Sequence, residues 1–464
     1  MASSCLAKLF ACCCCMLVMV HAVDDGEGGA GMETGELLAL FEVMGALLQD
    51  SGWAQLHPHP CTDTPWLGVQ CEMVQDPYLH VTKLHIGPDV ASPPCKSSAR
   101  LSPAILRLPY LKSLSLLGCF LSADDESVPL PPSLFTNASS LEQLVIKSNA
   151  GLAGTIPPSL GSLRRLRVLC LSQNGLRGDI PRELGSLARL EQLDLSYNDL
   201  AGSIPAEIGG LSSLTILDLS WNGLRGEIPP SIGQLRRLQK LDLSCNNISG
   251  RIPAEAGRLE SLVLLDLSRN SLAGPLPDGL SGLRQVQYFL AESNPIGTAI
   301  PRFLGAIKSL MVLDLSGCGL SGPVPPFLAA LGNLTTLSLD RNRLSGKIPC
   351  SLETIPNLDQ LNLSQNLLTG ELAFSDQFVS RLGGRLDVRD NLGLCMDPPS
   401  HRNPLLPFYS QAPPCLTTAS SISNSGPETN NETMKSISNT LRLNHATLIA
   451  RLVVVVIIAV ASGV

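Results

Sequence analysis

The feature that most constrains this chain is a strict 24-residue repeat through its middle. The segment "LDLSWNGLRGEIP" (217–229) follows "LDLSYNDLAGSIP" and precedes "LDLSCNNISGRIP", each 24 residues away. With the blocks aligned on the Asn or Cys after "LxLSx", every step from Asn174 to Asn366 is 24 residues long. Such regular spacing predicts a stack of similar structural units rather than a set of separate globular domains.

Each block carries the pattern LxxLxLxxN/C, and its period lies within the roughly 20–29 residues of leucine-rich repeats. The middle of the pattern predicts a short strand with side chains on alternating faces. Leu217 and Leu219 are expected to point inward, and Ile216, Asp218 and Ser220 outward. We therefore predict an α/β repeat solenoid: a leucine-rich-repeat horseshoe with a parallel inner sheet.

The ninth position of the pattern is Asn in most blocks and is predicted to satisfy backbone groups inside the stack, because unpaired buried amides are costly. Cys119 and Cys318 occupy this position, and their S–H groups are expected to act as weak donors there. In "LxGxIP", glycine permits a turn, and proline is expected to end strand pairing on the outer side.

Three motifs carry a family resemblance. The variant "LSGxIPxxLGxLxxL" resembles the plant-type leucine-rich repeat of receptor-like kinases and receptor-like proteins. "HPCTDTPWLGVQC" resembles their N-terminal cap, and "DNLGLC" before Cys415 their C-terminal cap. The resemblance covers about residues 33–415 and is closest to the small kinase-less group that contains Too Many Mouths and the Piriformospora indica-insensitive proteins. It implies cell-surface signalling without intrinsic catalysis.

The positions of the cysteines indicate which of them form disulfides and which are free. The resemblance implies cap disulfides between Cys61 and Cys71 and between Cys395 and Cys415, which staple the ends where core leucines would otherwise meet water. A bond between Cys95 and Cys119 is left open. Cys170 and Cys245 are three repeats apart, farther than the roughly 7 Å that a disulfide allows, and are expected to be free.

The two ends of the chain predict secretion and membrane attachment. Residues 1–22 resemble a signal peptide, with the apolar run "LFACCCCMLVMV". The terminal "LVVVVIIAVASGV" fits a lipid-anchor signal, a short membrane span or an unanchored tail. We expect the outer face of the plasma membrane, with these segments: signal peptide 1–22, N-terminal cap 23–87, 11–12 repeats in 88–394, C-terminal cap 395–415, polar linker 416–445 and hydrophobic tail 446–464.

Composition argues against other classes of function. The net charge of −7 and pI near 5.6 do not favour nucleic-acid binding, which needs clustered Lys and Arg. The repeats from Leu111 to Asn391 contain no histidine, the usual general base, and the sequence shows no kinase motif. We predict no enzyme, metal site or cofactor. One strand position carries a series of aspartates that is interpreted as structural: Asp194, Asp218, Asp242, Asp266 and Asp314.

The outward positions of each block remain free to bind a partner. The eighth position reads Tyr197, Trp221, Cys245 and Arg269 in successive blocks, and aromatic and arginine residues are enriched in interface hot spots. The third position is largely apolar, and the block "VQYFLAESNP" departs most from the pattern. The alternative is ordinary variation on a solvated sheet. The predicted binding residues are Tyr197, Trp221, Arg269, Tyr288, Leu290 and Glu292.

Five N-x-S/T sequons predict glycans in a secreted protein. They are Asn137, Asn247, Asn333, Asn362 and Asn431. Sugars at Asn333 and Asn362 are expected to crowd the C-terminal third of the arc and to leave the middle repeats open.

Two functions fit these features. The first is a membrane-tethered receptor or co-receptor that binds a protein or peptide ligand and a receptor kinase through the concave face. The second is an extracellular inhibitor of a microbial cell-wall hydrolase, resembling polygalacturonase-inhibiting proteins. The linker and apolar tail favour the first, because soluble inhibitors end after the C-terminal cap. The sequence does not identify the ligand, kinase or pathway.

Overall fold

The computed structural model describes residues 31–74, 77–88, 95–120, 127–135, 140–396 and 413–415. The predicted signal peptide, polar linker and hydrophobic tail lie outside these ranges, as do Asn137 and Asn431. Within the ranges, none of the helices combines the length and the apolar character that a membrane span needs.

A 14-stranded inner sheet runs through the described chain. Its first two strands are antiparallel, and the remaining neighbours are parallel. Neighbouring repeats pair in register, so that Leu217 lies opposite Leu241 and Asp218 opposite Asp242. The strands are Val69–Met73, Leu79–Ile86, Ser113–Leu117, Gln143–Lys147, Val168–Cys170, Gln192–Asp194, Ile216–Asp218, Lys240–Asp242, Leu264–Asp266, Tyr288–Leu290, Val312–Asp314, Thr336–Ser338, Gln360–Asn362 and Leu386–Asp387.

The leucines of the pattern form one continuous core. Leu217 and Leu219 are fully buried, as the strand alternation predicts, and the same hydrophobic cluster extends from Ala39 to Leu394. A single repeat has no partner for its apolar side, so burial comes from its neighbours on both sides. The predicted leucine-rich-repeat solenoid with its parallel inner sheet is confirmed.

The recurrent asparagine ties neighbouring repeats together. Asn222 donates from Nδ2 to the carbonyls of Leu195, Leu219 and Ser220 at 3.0, 3.2 and 3.1 Å. Its Oδ1 accepts the backbone N–H of Leu200 in the preceding repeat at 3.0 Å. The amide thus satisfies backbone groups of two turns, which confirms the role predicted for this position.

Beside the inner sheet, short lateral strands continue each turn. They begin at the ninth-position residue or one to three residues after it, and a left-handed glycine such as Gly226, with φ of +78°, lies at or near the ends of most of them. The lateral strands are Asn149–Gly154, Asn174–Gly178, Asp199–Leu200, Arg225–Gly226, Asn247–Gly250, Ser271–Leu272, Ser321–Gly322, Arg343–Gly346, Leu367–Glu371 and Gly393–Cys395.

Residues 294–300 contain no lateral strand, and Cys318 accounts for this gap. In the turns on either side, the oxygen of Asn294 or Asn342 accepts the N–H of the residue 22 positions earlier, but Cys318 has no such acceptor for Ile296. The Ile296 N–H donates instead to the Asn294 carbonyl at 2.8 Å. The thiol of Cys318 donates to the Ala291 carbonyl at 3.1 Å, which confirms the predicted weak donor.

The outer side consists of short 3₁₀ helices. The proline of each "IP" precedes such a helix, and the Pro229 carbonyl accepts the Ile232 N–H at 3.0 Å. The 3₁₀ helices are Pro103–Arg107, Pro132–Phe135, Pro158–Ser162, Arg182–Ser186, Ala206–Gly210, Pro230–Gln234, Ala254–Arg258, Asp278–Gly282, Arg302–Ala306, Pro326–Ala330, Cys350–Thr354 and Gly383–Arg385; the α-helices are Thr34–Leu47, Trp53–Leu56 and Asp376–Leu382.

Disulfides close both ends of the described solenoid. The predicted bonds Cys61–Cys71 and Cys395–Cys415 are present. The bond left open, Cys95–Cys119, is also formed, with 4.9 Å between Cα atoms. The expectation of an S–H donor at Cys119 is therefore wrong, because its sulfur is oxidised. Among the described residues the free cysteines are Cys170, Cys245, Cys318 and Cys350.

Candidate functional site

The eighth-position residues leave the inner sheet through a left-handed backbone turn. Tyr197 and Trp221 both have φ of +54°, and Arg269 has φ of +55°. Bulky residues rarely adopt this conformation, which costs on the order of 1 kcal/mol or more. The repeat imposes it at this position regardless of the side chain. Large side chains at this position therefore project from the turn that follows each strand of the inner sheet.

Tyr197 and Trp221 form a stacked pair. Their ring centroids are 5.3 Å apart and their planes differ by 8°. The two residues are 49% and 48% exposed, which makes them the most exposed aromatic residues of the described repeats. The sequence prediction placed them in neighbouring repeats, and the structure brings them into contact as an apolar surface open to solvent.

Lys240 is buried on the outward face of the sheet beside this pair, with 3% of its surface exposed. Its Nζ lies 2.7 Å from Asp218 Oδ2 and 3.4 Å from Asp242 Oδ2. Burial alone would lower the pKa of Lys240, but the two carboxylates raise it overall, so the ammonium stays charged. Lys240 is the third-position residue of its strand, where the sequence is otherwise largely apolar, and its ionic role was not predicted.

The aspartates are held by their own repeats. Asp218 Oδ1 accepts the N–H of Ser220 at 3.1 Å and its hydroxyl at 2.6 Å. Asp242 and Ser244 repeat this arrangement. This geometry supports the structural interpretation of the series, because each carboxylate is fixed by a serine two residues later in the same strand end.

Asp266 differs from the aspartates beside Lys240. Its Oδ1 accepts the Ser268 N–H at 2.9 Å, and no Lys or Arg of the described chain lies within ion-pair distance of it. It is aligned with Asp242 on one side and with Leu290 on the other. Burial, and then the Asp242 charge, raise the pKa of Asp266 to about 8.

Replacement of Asp266 by asparagine is expected to stabilise the protein at alkaline pH. An aspartate in an unfolded chain has a pKa near 3.9, so the folded protein holds this proton more tightly. Its stabilising contribution is complete below about pH 4 and is lost as the pH rises through the folded-state pKa of about 8. Asp266→Asn cannot ionise and avoids this loss.

Thermal unfolding should therefore show a higher Tm for Asp266→Asn than for wild type at pH 8.5, by about 2–4 °C for each kcal/mol recovered. The two proteins should converge near pH 4. The control is Asp199→Asn, which changes an exposed carboxylate on a lateral strand. A Tm difference that does not vary with pH would contradict the raised pKa of Asp266.

The predicted residues Arg269 and Glu292 form an ion pair at 3.0 Å. The second Glu292 oxygen lies 3.8 Å from Arg341, which also contacts Asp340 at 2.9 Å. The sequence analysis missed Arg341, which lies three repeats beyond Arg269. The available signal was the small size of the intervening eighth-position residues, Ser293 and Gly317, which allow a long arginine to reach back over them.

The apolar residues of the predicted patch are less exposed than expected. Leu290 is 4% exposed, and the third-position residues Ile216 and Leu264 are 5% and 4% exposed. They lie on the outward face of the sheet, but side chains of neighbouring strands cover them. The expectation that Leu290 offers an outward contact is therefore wrong. Tyr288 is partly exposed, and burial raises its pKa.

Cys245 separates Trp221 from Arg269 in the eighth position. Burial raises the pKa of its thiol to about 11, so it remains protonated at neutral pH. No cluster of three or more His, Cys, Asp and Glu side chains within the described ranges has a geometry that would hold a metal ion. The site is thus an exposed aromatic pair flanked by aspartates, one short thiol and an arginine pair.

Three of the predicted sequons lie within the described residues. Asn247 is exposed on a lateral strand two residues after Cys245. Asn333 is exposed and lies before the strand Thr336–Ser338, as expected. Asn362 Oδ1 accepts the N–H and hydroxyl of Ser364, in the manner of the aspartates. Attachment of sugar at these positions stays a prediction.

Comparison with known proteins shows which proteins this chain resembles. A model described as "Leucine-rich repeat region" matches residues 145–269, and one described as "Leucine Rich Repeat" matches 261–283, 309–331 and 333–355. Receptor like protein 29 of Arabidopsis thaliana is 45% identical over 31% of this chain and 31% of its own length. The chain matches plant leucine-rich-repeat receptor-like proteins.

Two further relatives come from the same plant. Piriformospora indica-insensitive protein 2 of Arabidopsis thaliana is 39% identical over 31% of this chain and 34% of its own length. Protein TOO MANY MOUTHS of Arabidopsis thaliana is 38% identical over 30% of this chain and 28% of its own length. The matched region thus spans about a third of these relatives, and the group named from the sequence motifs is confirmed.

Solved structures extend the likeness of the fold. The ectodomain of the Arabidopsis receptor kinase HAESA, in complex with an IDA peptide hormone, is 30% identical with a TM-score of 0.62, covering 78% of this chain and 57% of that chain. The complex of PEPR1 with AtPEP1 gives 29% identity and a TM-score of 0.65, covering 78% and 49%.

Proposed function

We propose that this chain, whose sequence contains no kinase motif, acts as a plant cell-surface receptor or co-receptor. It binds a secreted ligand, a partner receptor kinase or both through the outward face of its inner sheet. The observation that carries the proposal is the stacked pair Tyr197–Trp221, which leaves about half of two aromatic side chains in water. Exposed apolar surface is costly unless a partner covers it, and tyrosine and tryptophan are enriched in hot spots.

The relatives support this role. Receptor-like proteins are among the similar sequences, and ectodomains in complex with peptide ligands are among the similar structures. The charged groups around the aromatic pair add directional contacts, because Arg269, Glu292 and Arg341 lie on the same side of the solenoid. Attachment to the outer face of the plasma membrane, by lipid anchor or short span, is part of the same proposal.

Recovery of membrane partners tests the proposal. We expect the tagged full-length protein to lose its partner from solubilised plant membranes when Trp221→Ala is combined with Tyr288→Ala, because truncating hot-spot aromatics costs about 2 kcal/mol or more each. Secretion of the variant should be unchanged. The matched control is Leu367→Ala, which removes a 60% exposed apolar side chain from a lateral strand.

Equal recovery of every partner by wild type, double variant and control would contradict the site assignment. Release of the native protein from membranes by a phospholipase would distinguish a lipid anchor from a span. Free secretion, together with binding to a purified polygalacturonase, would favour the inhibitor over the receptor.

A further inference from the structure

We propose that Asp242 and Asp266 bind a lysine or arginine side chain of a partner protein segment, and that this side chain packs against Trp221. The inference rests on the proposed function, because it names the chemistry of the ligand for the same face. The binding site lies between the neighbouring strands Lys240–Asp242 and Leu264–Asp266 of the inner sheet, where Asp242 and Asp266 are aligned in register.

The preceding pair of strands, Ile216–Asp218 and Lys240–Asp242, already shows a contact between one cation and two aspartates. Lys240 places its ammonium between Asp218 and Asp242, at 2.7 and 3.4 Å. The lysine is the third-position residue of the strand, and the two carboxylates are fifth-position residues of consecutive strands. Consecutive aspartates of this sheet are therefore spaced so that one ammonium group contacts both.

The next pair of strands presents two carboxylates in the same register, Asp242 and Asp266, and its described residues supply no cation between them. Leu264 stands in the third position, where the preceding strand has Lys240. No lysine or arginine of the described ranges lies within 4 Å of Asp266, and the following strand offers Leu290 in place of another polar group. A cation from outside the chain would complete the pattern that Lys240 begins.

The charge of this part of the sheet favours a basic partner. The strands Gln192–Asp194, Ile216–Asp218, Lys240–Asp242 and Leu264–Asp266 contain four aspartates and one lysine and no other charged residue. With Asp266 protonated, as its pKa of about 8 indicates at neutral pH, this gives a net charge of −2, and a bound cation would favour the ionised form of Asp266 and bring the net charge to −3. Such a surface attracts a cationic segment and repels phosphate-bearing or acidic ones.

The surroundings suit an organic cation on a flexible chain. One face of Trp221 stacks on Tyr197, and the next eighth-position residue, Cys245, is too short to cover much of the other face. A lysine or arginine near a tryptophan face gains a cation–π contact, and its methylene groups pack on the ring. Leu264 on the strand of Asp266 and Leu290 opposite it on the next strand are both buried and make the surroundings of this carboxylate apolar.

Selection of peptides on the intact protein tests the inference. The probe is a phage-displayed library of random 12-residue peptides, selected in parallel on the purified full chain and on Asp266→Asn. We expect peptides selected on wild type to carry a lysine or arginine at a shared position, and this preference to disappear on the variant. Asparagine is compatible with the fold at this position, because Asn362 occupies it in another repeat and accepts the N–H and hydroxyl of its serine. All proteins are produced in a host that attaches no N-linked sugar, because Asp266→Asn creates an Asn-Leu-Ser sequon.

Binding of one selected synthetic peptide then gives the magnitude. Loss of a charged contact should weaken its binding roughly tenfold or more, both for Asp266→Asn and for exchange of the peptide lysine to norleucine. The two changes should not be additive, because they remove the same contact. The control is Asp314→Asn, which makes the identical chemical change beyond Leu290.

Failure of this inference can be told apart from failure of the proposed function. Peptides that depend on Trp221 but show no basic preference, or that bind Asp266→Asn as tightly as wild type, would overturn the cation site and leave the receptor role standing. A library that yields no peptide dependent on Asp266 would overturn the cation site as well. The proposed function is judged separately, by loss of membrane partners in the double variant Trp221→Ala with Tyr288→Ala.

Discussion

Asn222→Ala is expected to lower the free energy of unfolding by about 3–5 kcal/mol, because a buried polar group left without its partner costs about 1–3 kcal/mol. The Asn222 side chain serves the Leu200 N–H and the carbonyls of Leu195, Leu219 and Ser220. These backbone groups belong to two adjacent turns inside the stack, where alanine supplies neither donor nor acceptor. The loss therefore loosens the contact between repeats as well as a single turn.

Urea unfolding followed by circular dichroism measures this effect, and hydrogen exchange locates it. The variant should unfold at a lower urea midpoint, and protection should fall first in the repeats on either side of residue 222. The matched control is Asn247→Ala on the exposed lateral strand, after enzymatic removal of any glycan from both proteins; it should change stability by no more than about 0.5 kcal/mol. Equal midpoints for the two variants would show that the asparagine series is not what holds the turns together.

Lys240→Met is the second substitution that we expect to lower the free energy of unfolding strongly. Removing one partner of a buried ionic group typically costs about 3–5 kcal/mol, because the remaining charge is left unpaired. Here Asp218 and Asp242 lose their shared ammonium, and burial already raises the pKa of Asp242 to about 6 while the lysine is present. At pH 7 the variant should therefore unfold at a clearly lower denaturant concentration than wild type.

The pH dependence of the stability deficit of Lys240→Met shows whether unpaired charge causes it. The raised pKa of Lys240 means that its contribution is complete at neutral pH and disappears only as the pH rises through the folded-state value. In Lys240→Met the carboxylates regain stability when they take up protons, so the deficit should shrink between pH 7 and pH 4. Adding Asp218→Asn and Asp242→Asn should restore most of the loss at pH 7. A deficit of the same size at both pH values would indicate lost packing instead of unpaired charge, and the exposed Lys347→Met serves as the control.

The contact between Tyr197 and Trp221 shows how far sequence reasoning reaches into the site. A fixed period places both residues at the same position of consecutive strands, and parallel pairing brings such positions within about 5 Å. Their contact follows from the repeat alone. The same argument predicted the buried Leu217 and Leu219 and the hydrogen bonds of Asn222, all of which are confirmed.

Leu290 and Asp266 show where that reasoning stops. Alternation along the strand puts both on the outward face, but it does not tell how neighbouring side chains cover them. Leu290 is buried, and burial, together with the charge of Asp242, raises the pKa of Asp266. The contacts of Arg341 with Glu292, two strands away, likewise depend on the path of a long side chain over Ser293 and Gly317.

The sequence by itself determined the solenoid, the register of its strands, the inward leucines and the line along which Tyr197, Trp221 and Arg269 follow one another. A 24-residue period and the alternation of a strand are backbone properties, and they fix position without reference to distant contacts. Only the tertiary structure decided that Lys240 forms ion pairs with two aspartates, while no lysine or arginine of the described residues lies within ion-pair distance of Asp266. The same holds for the disulfide between Cys95 and Cys119. These outcomes depend on which side chains meet across repeats, because burial and charge compensation are set by neighbours in space.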